Sequence, residues 1–302
     1  MTDSRRTFIK KTTMAVAAST FFSNELFATK KEAQLTGVQL YSVRDDMKKD
    51  PSGTLKQLSK MGYRYVEHAN YVDRKFYGYS AKDFRKLLDD TGLKMPSGHT
   101  VMGKQHWDDA TKDFTDSWRY TVEDAAVVGQ MYVISPWLDQ ALRKNQDDLK
   151  RFLEVFNKSG ELCKKSGMKF GYHNHDFEFS EKFGDVTMYD VILRNTDPKL
   201  VIHQLDIGNL YNGGATALEV VKKWPGRFQS MHVKDEIKAT SGNEQFESTK
   251  LGAGIVPVKE VIDLGKKSGG TIHFIIEQES YQGKTPLESV EEDLKIMKGW
   301  GY

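Results

Sequence analysis

Acidic and imidazole residues recur at the ends of short apolar segments in the second half of the chain. They are His173 and His175 in Gly171-Tyr172-His173-Asn174-His175, Asp206 in Leu205-Asp206-Ile207-Gly208-Asn209, His232 in Met231-His232-Val233-Lys234-Asp235, and Glu277 in Phe274-Ile275-Ile276-Glu277. Each segment reads as a β-strand that precedes a turn and a helical pattern. In a closed parallel barrel the carboxyl ends of all strands meet at one mouth. Carboxylates and imidazoles that converge there predict a divalent-metal site.

We predict that one divalent ion is bound by residues at the ends of strands 5 to 8. The predicted ligands are His173, Asp206, His232 and Glu277. Carboxylate oxygen and imidazole nitrogen without thiolate fit Mn, Co, Mg or catalytic Zn, and they argue against a structural zinc site. Structural alternatives stay open, namely a helix cap for Asp206 and a core histidine for His232. Glu178 is the alternative strand 5 ligand, and Glu279 is the fallback for Glu277.

The same segments supply candidates for proton transfer. Either Glu277 or His175 is predicted to remove a proton from the substrate, and a neutral imidazole near pH 7 suits that task. Lys234 is predicted to stabilise an enolate oxygen, with an exposed loop lysine as the alternative. Further side chains are expected to contact the substrate at the barrel mouth: Glu67, His99, Trp137 and Glu178.

From Leu35 onward, short strand-like runs alternate with helical periods. Predicted strands begin near residues 35, 63, 93, 131, 168, 201, 228 and 271, and glycines such as Gly62 and Gly92 end the helices between them. Eight such repeats predict one α/β domain, a single (β/α)8 TIM barrel over residues 30–302. An open doubly wound sheet is the alternative, but the chain has no glycine-rich nucleotide motif. The polar segment Asp235–Leu251 is predicted to be a loop over the mouth.

Composition excludes several classes of partner. The chain has 302 residues, of which 38% are hydrophobic, and a net charge of +2. This balance gives no electrostatic reason to expect nucleic acid as a partner. Cys163 stands alone, so an intrachain disulfide is impossible. No apolar run reaches the roughly 18 residues of a membrane span. The predicted partner is a small carbohydrate, and a homo-oligomer is possible.

The amino-terminal segment is predicted to be an export signal rather than part of the barrel. Ser4-Arg5-Arg6-Thr7-Phe8-Ile9-Lys10 resembles a twin-arginine signature, and a short, weakly apolar region follows it. The alternative is an accidental Arg-Arg pair before an amphipathic helix. We therefore expect residues 1–29 to direct the protein to the periplasm, or otherwise out of the cytoplasm, by the twin-arginine pathway. That pathway carries folded proteins, so an ion could be bound before export.

The strand-end motifs resemble those of the sugar phosphate isomerase/epimerase superfamily of xylose isomerase-like barrels, which includes inosose dehydratases, ketose 3-epimerases and endonuclease IV. Leu205-Asp206-Ile207-Gly208-Asn209, His232-Val233-Lys234-Asp235 and Ile276-Glu277 match its metal motifs on strands 6, 7 and 8. The resemblance spans about residues 35–302. It implies the barrel, a bound divalent ion and a carbohydrate substrate.

One position departs from the family pattern. Many members carry a glutamate ligand on strand 5, where this chain has His173-Asn174-His175. The resemblance implies that epimerases use paired glutamates on strands 5 and 8, so the change argues against two-base epimerisation. We predict a metal-dependent sugar isomerase or epimerase-type enzyme that abstracts a proton next to a carbonyl. The alternatives are a keto-sugar lyase, dehydratase or hydratase, and a non-catalytic sugar-binding barrel. Phosphodiester hydrolysis is disfavoured, because it needs more metal ligands and a basic face.

Overall fold

Eight parallel strands close into a barrel in the computed structural model, which describes residues 35–240, 242 and 244–302. The barrel strands are β1 (Leu35–Gln39), β2 (Tyr65–His68), β3 (Lys94–His99), β4 (Tyr132–Ser135), β5 (Lys169–His173), β6 (Val201–Asp206), β7 (Ser230–Val233) and β8 (His273–Ile276). Each strand pairs with the next along the chain, and β8 pairs with β1 to complete the ring. This closed order confirms the predicted single TIM barrel.

Helices follow every strand and cover the outside of the ring. They are α1 (Arg44–Lys49), α2 (Pro51–Met61), α3 (Ala81–Thr91), α4 (Asp116–Val128), α5 (Gln146–Lys165), α6 (Phe177–Ser180), α7 (Met188–Asn195), α8 (Ala217–Lys223), α9 (Val258–Leu264) and α10 (Pro286–Gly299). Single turns of 3-10 helix lie at Leu40–Val43, Lys104–His106, Gln140–Leu142 and Asn209–Tyr211, and a π-helical turn, Gly265–Gly269, follows α9. Among the described residues, no helix has both the length and the apolarity that crossing a membrane requires.

Local sequence signals explain where the helices begin and end. The Ser80 side chain accepts a hydrogen bond from the Asp83 amide at the start of α3, as predicted for its N-cap. Thr285 and Glu288 form a capping box at the start of α10. Gly62 and Gly92 end α2 and α3 in the left-handed conformation, which costs glycine little.

The apolar core lies between the strands and the helices. Its two large clusters contain residues such as Leu55, Phe84 and Ile262 in one and Trp118 and Phe156 in the other. The inside of the barrel is polar instead, since Glu67 on β2 accepts a hydrogen bond from Gln204 on the opposite strand β6. Many barrels fill this space with branched aliphatic side chains. A buried polar interior therefore marks this barrel as built around a site.

The loops after the strands add small antiparallel sheets near the mouth. Three short strands follow β2, at Tyr71–Val72, Lys75–Phe76 and Tyr79–Ser80, and paired strands lie at Trp107–Asp108 with Asp113–Phe114, and at Lys182–Phe183 with Val186–Thr187. The segment Asp235–Leu251, predicted to be a loop over the mouth, contains an antiparallel hairpin in which Asp235–Lys238 pairs with Phe246–Thr249. The Asp235 carboxylate fixes this hairpin by accepting hydrogen bonds from the backbone amides of Gly252, Gly254 and Val256. The predicted export signal lies outside the described residues.

Candidate active site

A cavity of about 900 Å³ opens at the carboxyl ends of the barrel strands. His173 and Glu277 lie on its floor, and His99, His175 and Trp137 lie on its walls. Five of the predicted site residues therefore line one cavity. A cavity of this size falls in the range of about 300–1,000 Å³ that small-molecule sites occupy.

Three of the four predicted metal ligands meet at the floor of this cavity. Asp206, His232 and Glu277 each offer one ligand atom, and these atoms lie within 4.8 Å of one another. The His232 Nδ1 atom is 3.0 Å from Glu277 Oε2 and 3.9 Å from Asp206 Oδ2. We call these three residues the carboxylate cluster. They come from the ends of β6, β7 and β8, as the strand-end argument requires.

Asp206 has one satisfied and one unsatisfied oxygen. Its Oδ1 atom accepts hydrogen bonds of 2.8 Å from the amides of Gly208 and Asn209, which fixes the carboxylate plane. Its Oδ2 atom is buried and has no hydrogen-bond partner among the described residues. Burial raises the pKa of Asp206 to about 6. A buried carboxylate oxygen without a donor is costly, and a metal ion is one way to satisfy it.

His232 is held between two carboxylates. Its Nε2 atom donates to Glu67 Oε1 at 2.6 Å, and its Nδ1 atom faces Glu277 and Asp206. Although burial acts to lower it, the pKa of His232 is raised to about 10 by the charges of Glu277 and Glu67. A carboxylate behind a ligating histidine is the usual way to orient the ring toward a metal. Binding an ion through Nδ1 requires His232 to release the proton on that atom.

Glu67 lies below the cavity and not on its wall, contrary to our expectation of a mouth-facing residue. It is fully buried, and its carboxylate accepts hydrogen bonds from Gln39, Ser97, Gln204 and His232. Burial acts to raise the pKa of Glu67, but the facing His99 and His232 hold it well below the usual value. With every oxygen occupied by protein donors, Glu67 is placed to position His232 and not to contact a substrate.

His99, His173 and His175 form a second group, which we call the imidazole cluster. The His173 ring centroid is 4.8 Å from that of His99 and 5.2 Å from that of His175. The predicted ligand His173 is 4.6 Å from the His232 ring, and it groups with His99 and His232 and not with the carboxylates. Its Nδ1 atom donates to Gln204 Oε1 at 3.1 Å, which leaves Nε2 as the acceptor of a neutral ring.

His175 stands on the cavity wall between Trp137 and His173. The Trp137 ring packs edge-on against it at 5.2 Å, and its Nδ1 atom is buried without a hydrogen-bond partner among the described residues. Burial first, and then the charge of Lys234, lower the pKa of His175 to about 4. The imidazole is therefore neutral at pH 7 and able to accept a proton.

Glu178 points away from the cavity, so it neither ligates with the carboxylate cluster nor contacts a substrate there. It is fully buried at the start of α6, where it accepts hydrogen bonds from the Tyr172 hydroxyl and from the His175 amide. Burial raises its pKa to about 8. Its contacts therefore fix the backbone that carries His175.

Lys234 is buried among acidic side chains. Its Nζ atom donates to Glu279 and, at 2.9 Å, to Asn209, and it lies 3.5 Å from Glu277 Oε2 and 3.8 Å from Asp206 Oδ2. Burial acts to lower the pKa of Lys234, but the carboxylates of Glu279 and Asp206 outweigh it and raise the pKa well above the usual value. The ammonium group is therefore a fixed positive charge beside the carboxylate cluster.

The donor set at the floor fits a divalent cation. Four carboxylates, those of Glu67, Asp206, Glu277 and Glu279, lie against one lysine and two histidines, namely Lys234, His99 and His232. Buried carboxylates in excess are costly unless a cation balances them. Two oxygens and one imidazole nitrogen suit Mn, Co, Zn or Mg better than a thiolate-preferring ion.

The sequence analysis missed three residues that hold the site residues in position. Gln204 donates to Glu67 and accepts from His99 and His173, so it links the two clusters. Gln39 and Ser97 complete the donors around Glu67. Period-2 alternation could have found Gln204, because it lies two residues before Asp206 and faces the same side of β6.

The comparisons with known proteins agree with this architecture. A family model described as a xylose isomerase-like TIM barrel matches residues 55–300. The crystal structure of a sugar phosphate isomerase/epimerase from Parabacteroides distasonis is similar with a TM-score of 0.73 and 27% identity, over 90% of this chain and 96% of that one. The structure of the IOLI protein with a zinc atom has a TM-score of 0.67 at 14% identity, over 88% of this chain and 97% of that one. This last similarity shows the fold alone.

Among curated proteins, the inosose dehydratase of Clostridium perfringens is 30% identical over 185 residues. The inosose dehydratase of Clostridium botulinum strain Alaska E43 is 28% identical over 183 residues. Each match spans 59% of this chain and 58% of the relative. The similarity to the curated relatives therefore covers less than two thirds of their length.

Proposed function

Because this chain belongs to the family of xylose isomerase-like TIM barrels, we propose that it is a divalent-metal-dependent enzyme that removes a proton next to a carbonyl of a small carbohydrate. The observation that carries the proposal is the meeting of Asp206, His232 and Glu277 around an unsatisfied buried oxygen on the cavity floor. A divalent ion held by these residues would polarise the substrate oxygens and so acidify the adjacent carbon-bound proton.

His175 is the proposed base. It lines the cavity, and its imidazole is neutral at pH 7 and therefore able to accept a proton. Glu277, the other predicted base, accepts from His232 and lies 3.5 Å from the Lys234 ammonium. Burial acts to raise the pKa of Glu277, but His232 and Lys234 hold it well below its usual value. Because His232 and Lys234 already engage this carboxylate, it suits ligation better than proton abstraction.

We propose dehydration of a keto sugar or keto cyclitol as the reaction class. His175 can accept a proton, whereas Glu277 is engaged by His232 and Lys234 and Glu279 is engaged by Lys234, and this arrangement suits elimination better than two-base epimerisation. His175 takes the carbon-bound proton, the bond to the β-hydroxyl breaks, and the same proton is available for the departing hydroxyl to leave as water. The names of the curated relatives, inosose dehydratases, support this choice. Isomerisation is the second candidate, because it needs the same proton abstraction without loss of the hydroxyl.

The experiment is a substrate screen in deuterium oxide. The protein, loaded in turn with Mn, Co, Zn or Mg, is incubated with keto sugars and keto cyclitols, and products are read by mass spectrometry. Loss of water with at least one ion, abolished by chelator, is the expected result. Deuterium incorporation without loss of water would favour isomerisation. Tight sugar binding with neither change would favour the non-catalytic sugar-binding barrel.

We also propose export by the twin-arginine pathway, on the strength of Ser4-Arg5-Arg6-Thr7-Phe8-Ile9-Lys10. The full chain, expressed in a host with that pathway, should appear in the periplasmic fraction. The variant with Arg5→Lys and Arg6→Lys should stay in the cytoplasm. Equal export of both chains would contradict the proposal.

A further inference from the structure

The exposed apolar side chains of this protein are concentrated at the cavity. Of the eight large hydrophobic residues that are exposed in the described part of the chain, five line this one cavity: Tyr41, Val72, Val101, Tyr120 and Trp137. We call these five residues the apolar rim. They are between 38% and 59% exposed. Exposed apolar groups that gather in one concave place mark a binding surface and not scattered surface residues.

The apolar rim lies opposite the carboxylate cluster. Tyr41 follows β1, Val72 follows β2, Val101 follows β3 and Trp137 follows β4, whereas the carboxylate cluster comes from β6, β7 and β8. The cavity therefore has a polar floor on one side and an apolar wall on the other. A single sugar ring, bound through its oxygens at the floor, would leave this wall in contact with water.

Two of the three aromatic rings at the rim, those of Trp137 and Tyr120, are held in place by their neighbours. Trp137 packs edge-on against His175 and against Phe177, each at 5.2 Å between ring centroids. The Tyr120 ring is 4.1 Å from the Arg74 guanidinium, which itself donates to Asp124 at 2.8 and 3.0 Å. Rings that are already fixed lose little conformational freedom when a ligand ring stacks on them.

The charges of the cavity wall disfavour an anionic ligand. In the described part of the chain, Arg74 is the only lysine or arginine that lines the cavity, and Asp124 already engages it. Asp73, Glu277 and Glu279 line the same cavity. Among the described residues that line this cavity, a phosphate group would therefore meet carboxylates and no arginine or lysine without a carboxylate partner, because Arg44, which stacks on Tyr41 at 4.7 Å, lines the neighbouring cavity instead.

We propose that this cavity takes an uncharged two-ring substrate, with a sugar ring at the polar floor and a second ring with an apolar face against the apolar rim. The second ring can be another sugar or an aryl group, because both present an apolar face to an aromatic side chain. This inference rests on the proposed function, since it uses the same floor for the sugar ring.

A side cavity gives the second ring a further place to extend. This second cavity, of about 600 Å³, shares Tyr41, Ala69 and Asn70 with the first. Tyr77 and Tyr79 also line it. The rim is therefore continuous with a second tyrosine-lined space beyond Tyr41, which a free monosaccharide would not reach.

The test measures binding of non-reacting probes to the metal-loaded full chain by calorimetry. The probes are methyl β-glucoside, phenyl β-glucoside, cellobiose and glucose 6-phosphate. We expect phenyl glucoside or cellobiose to bind about tenfold more tightly than methyl glucoside, from stacking on the rim. Which of the two binds more tightly identifies an aryl or a sugar second ring. The variants Trp137→Ala and Tyr120→Ala should reduce this preference at least threefold.

Val127→Ala is the matched control, because Val127 is also exposed but does not line the cavity. It should leave the preference unchanged. Equal affinity for the one-ring and two-ring probes, or tightest binding of glucose 6-phosphate, would overturn the inference. A change of oligomeric state in the rim variants without a change in preference would also overturn it and make the rim a protein interface. A chain that binds no metal at all would instead refute the proposed function, so the two failures are distinguishable.

Discussion

The carboxylate cluster and the imidazole cluster share one barrel mouth but differ in charge and in the atoms that hold them. Backbone amides fix the Asp206 carboxylate, Glu67 fixes the His232 ring, and Glu277 contacts His232 and Lys234. The His173 ring packs against those of His99 and His175, and burial lowers the pKa of both His173 and His175. The first cluster can hold a cation, whereas the second can accept protons. We therefore propose that the carboxylate cluster binds the ion and that the adjacent imidazole cluster transfers the proton.

Removing a carboxylate should have the largest effect. Glu277→Gln keeps a side-chain oxygen but takes away the charge that faces His232 and Lys234. We expect stoichiometric metal binding to be lost and turnover to become undetectable, because both activities require this ligand. Elemental analysis of the dialysed protein, together with the keto-sugar assay, measures the two effects. A variant that keeps its ion and most of its turnover would refute the role assigned to the carboxylate cluster.

The imidazole side should respond differently. His175→Gln removes the proposed base and leaves Asp206, His232 and Glu277 unchanged. Turnover should fall by about 10²–10⁴-fold, as for loss of a general base, while the metal content stays at the wild-type value. The measurement is kcat beside metal content on the same preparation. A loss of metal equal to that in Glu277→Gln would contradict the separate roles proposed for the two clusters.

The sequence predicted the carboxylate side better than the imidazole side, for a physical reason. Asp206, His232 and Glu277 each end a strand, and barrel closure alone brings strand ends together. Glu178 lies beyond a bend, and the short helix α6 turns it to Tyr172, on the outside of β5. The alternation of side chains along a strand does not continue through such a bend, so it could not predict the direction of Glu178. The expectation that Glu178 faces the substrate therefore failed.

The sequence also could not predict that Glu67 lies beneath the cavity floor. The pairing of β2 with β3 shifts between Tyr65 and Glu67, and such an irregularity has no sequence signature. The carboxylate is drawn under the floor by donors from β1, β3, β6 and β7, and these contacts exist only once the barrel is closed. The closed fold, in contrast, followed from the alternation of strands and helices.

Substitution of Glu67 tests whether a residue that orients a metal ligand contributes to metal affinity as the ligands themselves do. Glu67→Gln removes the charge behind His232 Nε2 and should weaken metal affinity by about 10–100-fold, the usual effect of losing an outer-shell partner. Titration with a competing chelator measures this affinity. Ser97→Ala is the control, because it removes one donor to Glu67 and no charge. Similar affinities for both variants would show that the charge of Glu67 is not what orients His232.

The smallest expected effect is on the pH dependence of stability, and it comes from Glu178, which supports the backbone of His175. The pKa of Glu178 is raised to about 8, so the folded protein retains a proton that the unfolded chain loses near its ordinary value. Its contribution to the free energy of unfolding is complete at low pH and is lost as the pH rises toward 8. Glu178→Gln should flatten this decline by up to about 1.4 kcal/mol per pH unit. Denaturant unfolding at pH 5 to 8 measures it, and an unchanged slope would contradict the protonated state.

The most direct test of the metal centre is elemental analysis of three proteins, the wild type, Asp206→Asn and Asp293→Asn. The amide side chain in Asp206→Asn would keep the oxygen that accepts from Gly208 and Asn209 but could not offer a second oxygen to an ion. Asp293 is a matched control, since it also has one oxygen bonded to a backbone amide and one without a partner among the described residues. About one Mn, Co, Zn or Mg per chain in the wild type and in Asp293→Asn, and none in Asp206→Asn, is the predicted result. No ion in the wild type, or an ion retained by Asp206→Asn, would contradict the assignment of the carboxylate cluster as the metal centre.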